Sequence, residues 1–156
     1  MFVSEFVSDE NAKELWIVSP WISNIPLIDN RSGDFDSLNP EWARREIRLA
    51  EVLLALVVRG SNLIVVTRDV DTNVPFISAL REMANQTDVS HQIQIVFRSD
   101  LHTKGIVLSR SQLLGSMNLT HNGLEILEEW IEFCIDLQDV ALLRTEFRHL
   151  YGEGFE

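Results

Sequence analysis

The chain has 156 residues, 46% of them hydrophobic and 24% charged, which is typical of one globular domain and excludes a disordered or low-complexity chain. Its longest apolar run, residues 52–58, is far too short to cross a bilayer. The N-terminus also lacks the basic and then apolar pattern of a signal peptide. We therefore expect a single domain over residues 1–156, located in the cytoplasm, that does not bind membranes.

The formal net charge of −11 opposes nonspecific binding to polyanions. The charge is uneven, however, because nine of the thirteen basic residues lie between residues 44 and 110. A local basic face and a scatter of solvated arginines both fit this pattern. The one cysteine, Cys134, follows apolar residues, and this context predicts a buried, unreactive thiol.

The first third of the chain contains one clear strand. Residues 5–14 are typical of a short amphipathic helix or a frayed terminus, and residues 15–18 of a buried strand that ends at Ser19-Pro20. Residues 23–39 are rich in turn-forming residues, which predicts a long loop that could cover a site.

A helix is predicted next. Asn39 and Pro40 form a cap and first-turn signal, and the apolar pattern continues to Val58. On such a helix three arginines lie on one side, namely Arg44, Arg45 and Arg48.

The remaining elements alternate between strands and helices. Strands are predicted at residues 62–67, 93–97 and 130–137, and helices at 74–85 and 138–150. This alternation predicts an α/β sandwich with a mixed, largely parallel β-sheet flanked by helices.

The residues that indicate chemistry lie between residues 101 and 129. If the apolar run after His102 is a strand, His102 and Lys104 share one face, which places a nucleophile beside a cation. Residues 106–108 and 112–114 read as a hairpin that returns the chain to this point.

The end of that hairpin offers groups that can bind phosphate oxygens. Gly115 permits close backbone approach, and Ser116 and Asn118 supply a hydroxyl and an amide two residues apart. An isolated acidic residue, Glu129, follows at the end of this stretch.

These residues resemble the phospholipase D superfamily, whose signature is H-x-K, four residues, D, a short gap and then G-S-x-N. The positions that match are His102, Lys104, Gly115, Ser116, Asn118, Leu119, Thr120 and Glu129. Ser109 stands where the family has its aspartate, and the gap to Gly115 is about one residue short. In the family that aspartate resembles a scaffold element more than a reacting group. The resemblance implies a phospholipase D-like sandwich.

The resemblance also implies the roles of the matched residues. His102 would attack phosphorus and form a covalent phosphohistidine, while Lys104, Asn118 and Ser116 would hold the nonbridging oxygens. Glu129 would accept a hydrogen bond from the second imidazole nitrogen and fix its tautomer. This chemistry requires no metal and no cofactor.

Other residues are expected to contact the substrate. The segment Ser19-Pro20-Trp21 resembles the loop that borders the family's active site, so Ser19 and Trp21 are candidates, although a packed core tryptophan is the alternative for Trp21. Arg98, which precedes the signature, and Thr120, within it, are further candidates.

The family draws its general acid from a second copy of the signature, and this chain has only one copy. Its other histidines, His91, His121 and His149, lack the H-x-K pattern. By resemblance to single-signature members, we expect a homodimer in which two His102 side chains face each other.

These observations favour a metal-independent phosphodiesterase that acts on nucleic acid, DNA rather than RNA. By family analogy it would belong to a bacterial restriction or defence system and work with other proteins of that system. Two alternatives remain open. One is phospholipid hydrolysis or headgroup transfer, and the other is a non-catalytic nucleic-acid-binding or assembly subunit, which Ser109 and the acidic chain ends favour.

Overall fold

The computed structural model describes residues 1–7, 14–123 and 128–152. The strands are β1 (Glu14–Val18), β2 (Pro26–Asp29), β3 (Glu46–Arg48), β4 (Asn62–Thr67), β5 (Ile93–Phe97), β6 (Gly105–Val107), β7 (Gln112–Gly115) and β8 (Ile131–Cys134). The helices are α1 (Phe2–Val7), α2 (Leu49–Val58), α3 (Val74–Gln86) and α4 (Leu137–Tyr151).

A six-stranded mixed sheet occupies the centre, with the strand order β5-β4-β1-β6-β7-β8. Strands β1, β4 and β5 run parallel to one another, and β6, β7 and β8 continue the sheet in antiparallel pairs. A separate two-stranded sheet pairs β2 with β3. The predicted α/β fold class, a mixed sheet flanked by helices, is confirmed, but the sheet is not largely parallel, because three of its five strand pairings are antiparallel.

The core lies on both faces of the sheet because strand side chains alternate in direction. Leu15 and Ile17 pack with α2 and α3 on one face. Trp16 and Val18 pack with Phe147 and its neighbours from α4 on the other. Burial on both faces explains why β1 is apolar at successive positions. Among the described helices, none has the length and hydropathy needed to cross a bilayer.

The predicted helix from Asn39 to Val58 is wrong in its first half. Residues 46–48 form β3, with Ile47 buried between exposed Glu46 and Arg48, and the helix α2 begins only at Leu49. The Glu51 carboxylate accepts a hydrogen bond from the Arg48 amide and so caps this later start. Arg44, Arg45 and Arg48 therefore do not form a helical face.

The other predicted elements survive with shifted ends. The loop predicted over residues 23–39 contains the strand β2, and the strand predicted over 130–137 ends at Cys134. The predicted N-terminal helix ends at Val7, and residues 8–13 of that prediction lie outside the described part of the chain. Cys134 is half-buried and its Sγ lies 3.6 Å from an Asp139 oxygen, so it is less enclosed than expected.

Helix α4 is fastened to β1 by a carboxylate. Arg148 Nε and Nη2 each donate to Glu14 at 2.8 Å, and the buried Trp16 indole donates to the same carboxylate at 2.6 Å. Burial by itself would raise the pKa of Glu14, but the hydrogen bonds from Arg148 and Trp16 outweigh it and hold the pKa below the usual value.

Replacing Glu14 with glutamine is expected to lower the free energy of unfolding by about 1 kcal/mol at neutral pH. Because the pKa of Glu14 is lower in the folded protein, its contribution is present above about pH 4.5 and is lost as the pH falls through the folded value. Thermal melts from pH 7 to pH 3 should show the variant and the parent converging in acid.

Asp29→Asn is the matched control. The hydrogen bonds from Arg31 lower the pKa of Asp29 to about 2, but both side chains of this ion pair are exposed to solvent. We expect the control to change the melting temperature less than Glu14→Gln does, since surface ion pairs contribute little. A larger change in melting temperature for Asp29→Asn than for Glu14→Gln would contradict the stabilising role that we assign to the Glu14 carboxylate.

Candidate active site

Several of the predicted site residues lie at one end of the six-stranded sheet. Strands β1, β4 and β7 finish at this end, and β6 and β8 begin there. The loops that leave or enter these strands carry Trp21, Arg68, His102, Ser116 and Glu129. This site end of the sheet is the position at which open α/β sheets commonly bind ligands.

His102 is exposed just before β6 and its imidazole meets an arginine. Arg68 Nη2 lies 3.4 Å from His102 Nε2, and Arg68 Nε donates to the Leu101 carbonyl oxygen at 2.9 Å. Arg68 follows the end of β4 and was absent from the sequence-based site. An arginine directly after a buried strand was the only signal in the sequence, and it is a weak one.

Lys104 immediately precedes β6 rather than lying within it, and it is half-buried. Its Nζ donates to the backbone carbonyl oxygen of His102 at 2.8 Å. The ammonium group is therefore held at the backbone of His102, the residue that it was expected to assist. This placement is compatible with the expected contact between Lys104 and a phosphate oxygen.

Gly115, Ser116 and Glu129 join the end of β7 to the start of β8. The Ser116 hydroxyl donates to the Glu129 carboxylate and accepts from the Trp130 amide at 3.1 Å. The Ser116 amide donates to the Trp130 carbonyl oxygen at 3.0 Å. The contact expected between Glu129 and the His102 imidazole is replaced here by the contact with Ser116.

Asn118 has an amide oxygen, Oδ1, that is buried and lacks a hydrogen-bond partner within the described ranges. Such a buried polar atom is costly unless a ligand or water satisfies it. Because Oδ1 can only accept a hydrogen bond, it would be satisfied by a donor such as water, and the predicted contact of Asn118 with phosphate oxygens would fall to its Nδ2 group. Thr120 Oγ1 accepts a hydrogen bond from the Gly123 amide at 3.2 Å, so this hydroxyl stabilises a turn.

Ser19 does not face the substrate space. Its side chain is fully buried, and its hydroxyl donates to the Trp21 carbonyl oxygen at 2.9 Å and accepts from the Leu119 amide at 3.4 Å. Ile22 also forms a parallel bridge with Leu119. We therefore correct the expected role of Ser19, which joins the β1 loop to the G-S-x-N segment. Trp21, by contrast, is 38% exposed.

Arg98 is directed toward α4. Its guanidinium lies 3.4 Å from Asp100, 3.4 Å from the Leu150 carbonyl oxygen and 6.0 Å from the Tyr151 ring centroid. Hydrogen bonds from the backbone amide of Asp100 and from Arg98 hold the pKa of Asp100 below its usual value. Arg98 is thus engaged in a local ion pair rather than in the cluster around His102.

Ser109, at the departure from the signature, lies at the opposite end of the sheet from His102. Its hydroxyl donates to the carboxylate of Glu5 in α1, which is 5% exposed. Arg144 from α4 donates to the Leu108 and Ser109 carbonyl oxygens at 2.7 and 3.3 Å. A carboxylate is therefore present at this position, but a distant part of the chain supplies it.

We expect Ser109→Asp to destabilise the protein by about 1 to 3 kcal/mol, because it places a second carboxylate against buried Glu5 and removes a hydrogen-bond donor. Adding Glu5→Gln should recover much of that loss, since the amide can donate to the new aspartate. Chemical denaturation of both variants and of Glu5→Gln alone measures this coupling. If the losses of unfolding free energy in the two single variants simply add in the double variant, the side chains at positions 5 and 109 do not interact, and Glu5 does not take the place of the missing aspartate.

Within the described ranges, no group of three or more His, Cys, Asp or Glu residues is placed to hold a metal ion. The expected chemistry does not call for one. Two basic side chains contact His102, namely Arg68 at the imidazole and Lys104 at the backbone carbonyl oxygen.

No protein-family model and no curated protein matches this sequence. Solved structures do match its fold. TrmBL2, an archaeal chromatin protein described as showing a novel mode of DNA binding, has a TM-score of 0.54 at 10% identity and covers 95% of this chain. NucT from Helicobacter pylori has a TM-score of 0.55 at 11% identity over 95% of the chain. Nuc from Salmonella typhimurium, a phospholipase D family member, has a TM-score of 0.52 at 15% identity over 95%.

The fraction of each matched protein that this chain covers differs among the three. The chain spans 83% of NucT and 82% of Nuc, but 46% of TrmBL2. At these identities the matches establish the shape of the domain.

Proposed function

Since the chain has the phospholipase D-like fold, we propose that it is a metal-independent phosphodiesterase and that its substrate is DNA. The observation that supports this proposal is that the segments carrying His102, Lys104, Ser116, Asn118 and Glu129 lie at the same end of the sheet, where Lys104 contacts His102 and Ser116 contacts Glu129. Two proteins of the same fold, NucT and Nuc, support a nuclease in particular.

In the proposed reaction, an imidazole nitrogen of His102 attacks phosphorus in line, and the phosphodiester P–O bond opposite to it breaks. The leaving oxygen takes a proton from a general acid. Water then attacks the phosphohistidine, the P–N bond breaks, and His102 is restored. Lys104 and the Asn118 amide bind the nonbridging oxygens, while Ser116 and Glu129 hold the loop beside them.

We assign the general acid to His102 of a second copy of the chain. An apolar surface beside the site supports this homodimer. It comprises side chains of β8 and its flanks that are between 50% and 68% exposed, namely Trp130, Ile131, Phe133 and Ile135. Exposed apolar patches on an edge strand are typical of association surfaces. Sedimentation should give a dimer, and an active monomer would contradict this part of the proposal.

DNA binding without catalysis is the second candidate, because TrmBL2 shares the fold and its description concerns DNA binding. The net charge of −11 argues against binding by charge attraction alone and favours delivery of substrate by other proteins. A place in a bacterial defence system is part of the same proposal. Phospholipid chemistry has less support, because no basic amphipathic surface helix was recognised in the sequence.

The decisive experiment is digestion of single-stranded DNA, double-stranded DNA, RNA and phospholipid vesicles by the purified protein in excess EDTA. Cleavage of DNA under these conditions, with a covalent protein–DNA adduct trapped by rapid acid-free denaturation, is the expected result. Binding of DNA without any turnover would favour the second candidate instead. Turnover of lipid alone would overturn the assignment of substrate.

A further inference from the structure

Arg68 is fixed at the site end by three contacts with two other segments of the chain, one around Trp21 and one at residues 101–102. Its Nε donates to the Leu101 carbonyl oxygen at 2.9 Å, and its guanidinium carbon lies 5.0 Å from the centroid of the Trp21 ring. Its Nη2 is directed at His102 Nε2 at 3.4 Å. A half-buried arginine with this many restraints loses little further freedom when it binds an anion.

The backbone beneath Arg68 is fixed as well. Asn73 is fully buried, and its Nδ2 lies within 2.8–2.9 Å of the carbonyl oxygens of Pro20 and Arg68 and of the Thr67 hydroxyl. Its Oδ1 accepts from the Ile22 amide at 2.9 Å. One amide side chain therefore joins the loop that carries Trp21 to the loop that carries Arg68.

The charge of Arg68 is not neutralised by a neighbour. Other arginines form ion pairs with carboxylates, among them Arg31, Arg45 and Arg148. Across residues 1–7, 14–123 and 128–152, Arg68 has no carboxylate within ion-pair distance. A half-buried cation without a counter-charge, placed against the expected nucleophile, is suited to receive an anionic group.

We propose that Arg68 is a catalytic residue that contacts a nonbridging oxygen of the reacting phosphate, and that Trp21 positions Arg68 by stacking on its guanidinium. The inference rests on the proposed phosphodiester chemistry of His102. Since Nη2 already lies against Nε2, phosphorus that approaches Nε2 brings one of its oxygens within reach of Nη2. The guanidinium thus stabilises the charge that develops on the phosphoryl group in the transition state.

This inference changes the role expected for Trp21 from the sequence. A tryptophan that stacks on a substrate base would act independently of Arg68. A tryptophan that holds Arg68 in place would lose its importance once the guanidinium is removed. A double-mutant cycle separates the two roles, because only the second predicts strong non-additivity.

The test compares rates of bis(p-nitrophenyl) phosphate hydrolysis for Arg68→Ala, Arg68→Lys, Trp21→Leu and the double variant Arg68→Ala/Trp21→Leu. We expect Arg68→Ala to lower kcat about 100-fold or more with a smaller change in KM, and Arg68→Lys to recover only part, because lysine lacks the planar fork. Trp21→Leu should lower kcat about tenfold alone and less than about twofold beside Arg68→Ala.

Arg81→Ala is the matched control, because Arg81 is exposed on α3 away from the site end and its loss changes the net charge equally. If Arg68→Ala hydrolysed bis(p-nitrophenyl) phosphate as fast as Arg81→Ala does, the proposal would be overturned. The proposal would also be overturned if Trp21→Leu lowered kcat by the same factor in the parent protein and in Arg68→Ala. That result would mean that Trp21 stacks on the substrate independently of Arg68. Thermal melts identify any variant that has lost its fold, and the Arg68→Lys variant then decides the kinetic comparison.

Binding of inorganic phosphate, measured by titration calorimetry, separates this inference from the proposed function. If the parent protein hydrolyses no diester, the nuclease proposal fails, but Arg68→Ala should still bind phosphate at least about tenfold more weakly than Arg81→Ala does. Equal phosphate affinities would overturn the assignment of Arg68 whether or not the parent is active.

Discussion

Replacement of His102 by alanine is expected to abolish EDTA-resistant DNA cleavage, with a fall in kcat of about 10⁴-fold or more. The physical reason is that the imidazole supplies the electron pair that forms the covalent intermediate, and the remaining groups only bind and orient the phosphate. The measurement is the single-turnover rate with labelled DNA, together with loss of the trapped adduct.

His91→Ala is the matched control for that experiment. His91 is exposed in the turn Ser90–Gln92 before β5, at the opposite end of the sheet from His102. Its loss should leave cleavage unchanged. If His102→Ala retained cleavage while the adduct persisted, another side chain would be the nucleophile and the proposed reaction would be wrong.

Gly115→Ala is expected to have the largest effect on stability. A Cβ at this position would lie 2.1 Å from the Trp130 carbonyl oxygen, which is backbone and cannot rotate away. The same carbonyl oxygen accepts from the Ser116 amide, so relief of the clash separates β7 from β8 at Ser116. We expect a loss of about 3 kcal/mol and a melting temperature lower by about 10 °C.

The control for steric effect is Gly60→Ala. Gly60 has a φ of +97°, but a Cβ there would meet nothing within 4 Å. Its cost should be that of the left-handed conformation alone, about 1 kcal/mol. Equal losses in the two variants, measured by thermal unfolding, would mean that the close approach of β7 and β8 is not what requires glycine at 115.

Much of the fold was predictable because its signals are local. The apolar run that forms β4 and the proline-capped helix α3 depend on neighbours in sequence. The motif at residues 102–129 could be recognised for the same reason, since its spacing is local and its predicted hairpin forms between β6 and β7, while its catalytic role stays a prediction.

The errors arose where distant contacts decide the structure. Residues 40–48 carry a helix-start signal, yet Ile47 pairs with Ile28 of β2 and Trp42 packs its ring 5.1 Å from that of Phe6. Arg68 could not be placed beside His102 from the sequence, because its position depends on contacts with Leu101 and Trp21, which other segments supply. The carboxylate beside Ser109 also comes from 104 residues away.

The hydrogen bond and bridge that join Ser19 and Ile22 to Leu119 have a consequence for protein synthesis. These contacts close a loop of about 100 residues, so they form only after Leu119 has left the ribosome. The parallel strands β1, β4 and β5 can associate earlier, but the incoming β7 must still be added to β6. The nascent chain therefore carries an unpaired strand edge until late in translation, and the site is completed after most of the sheet has formed.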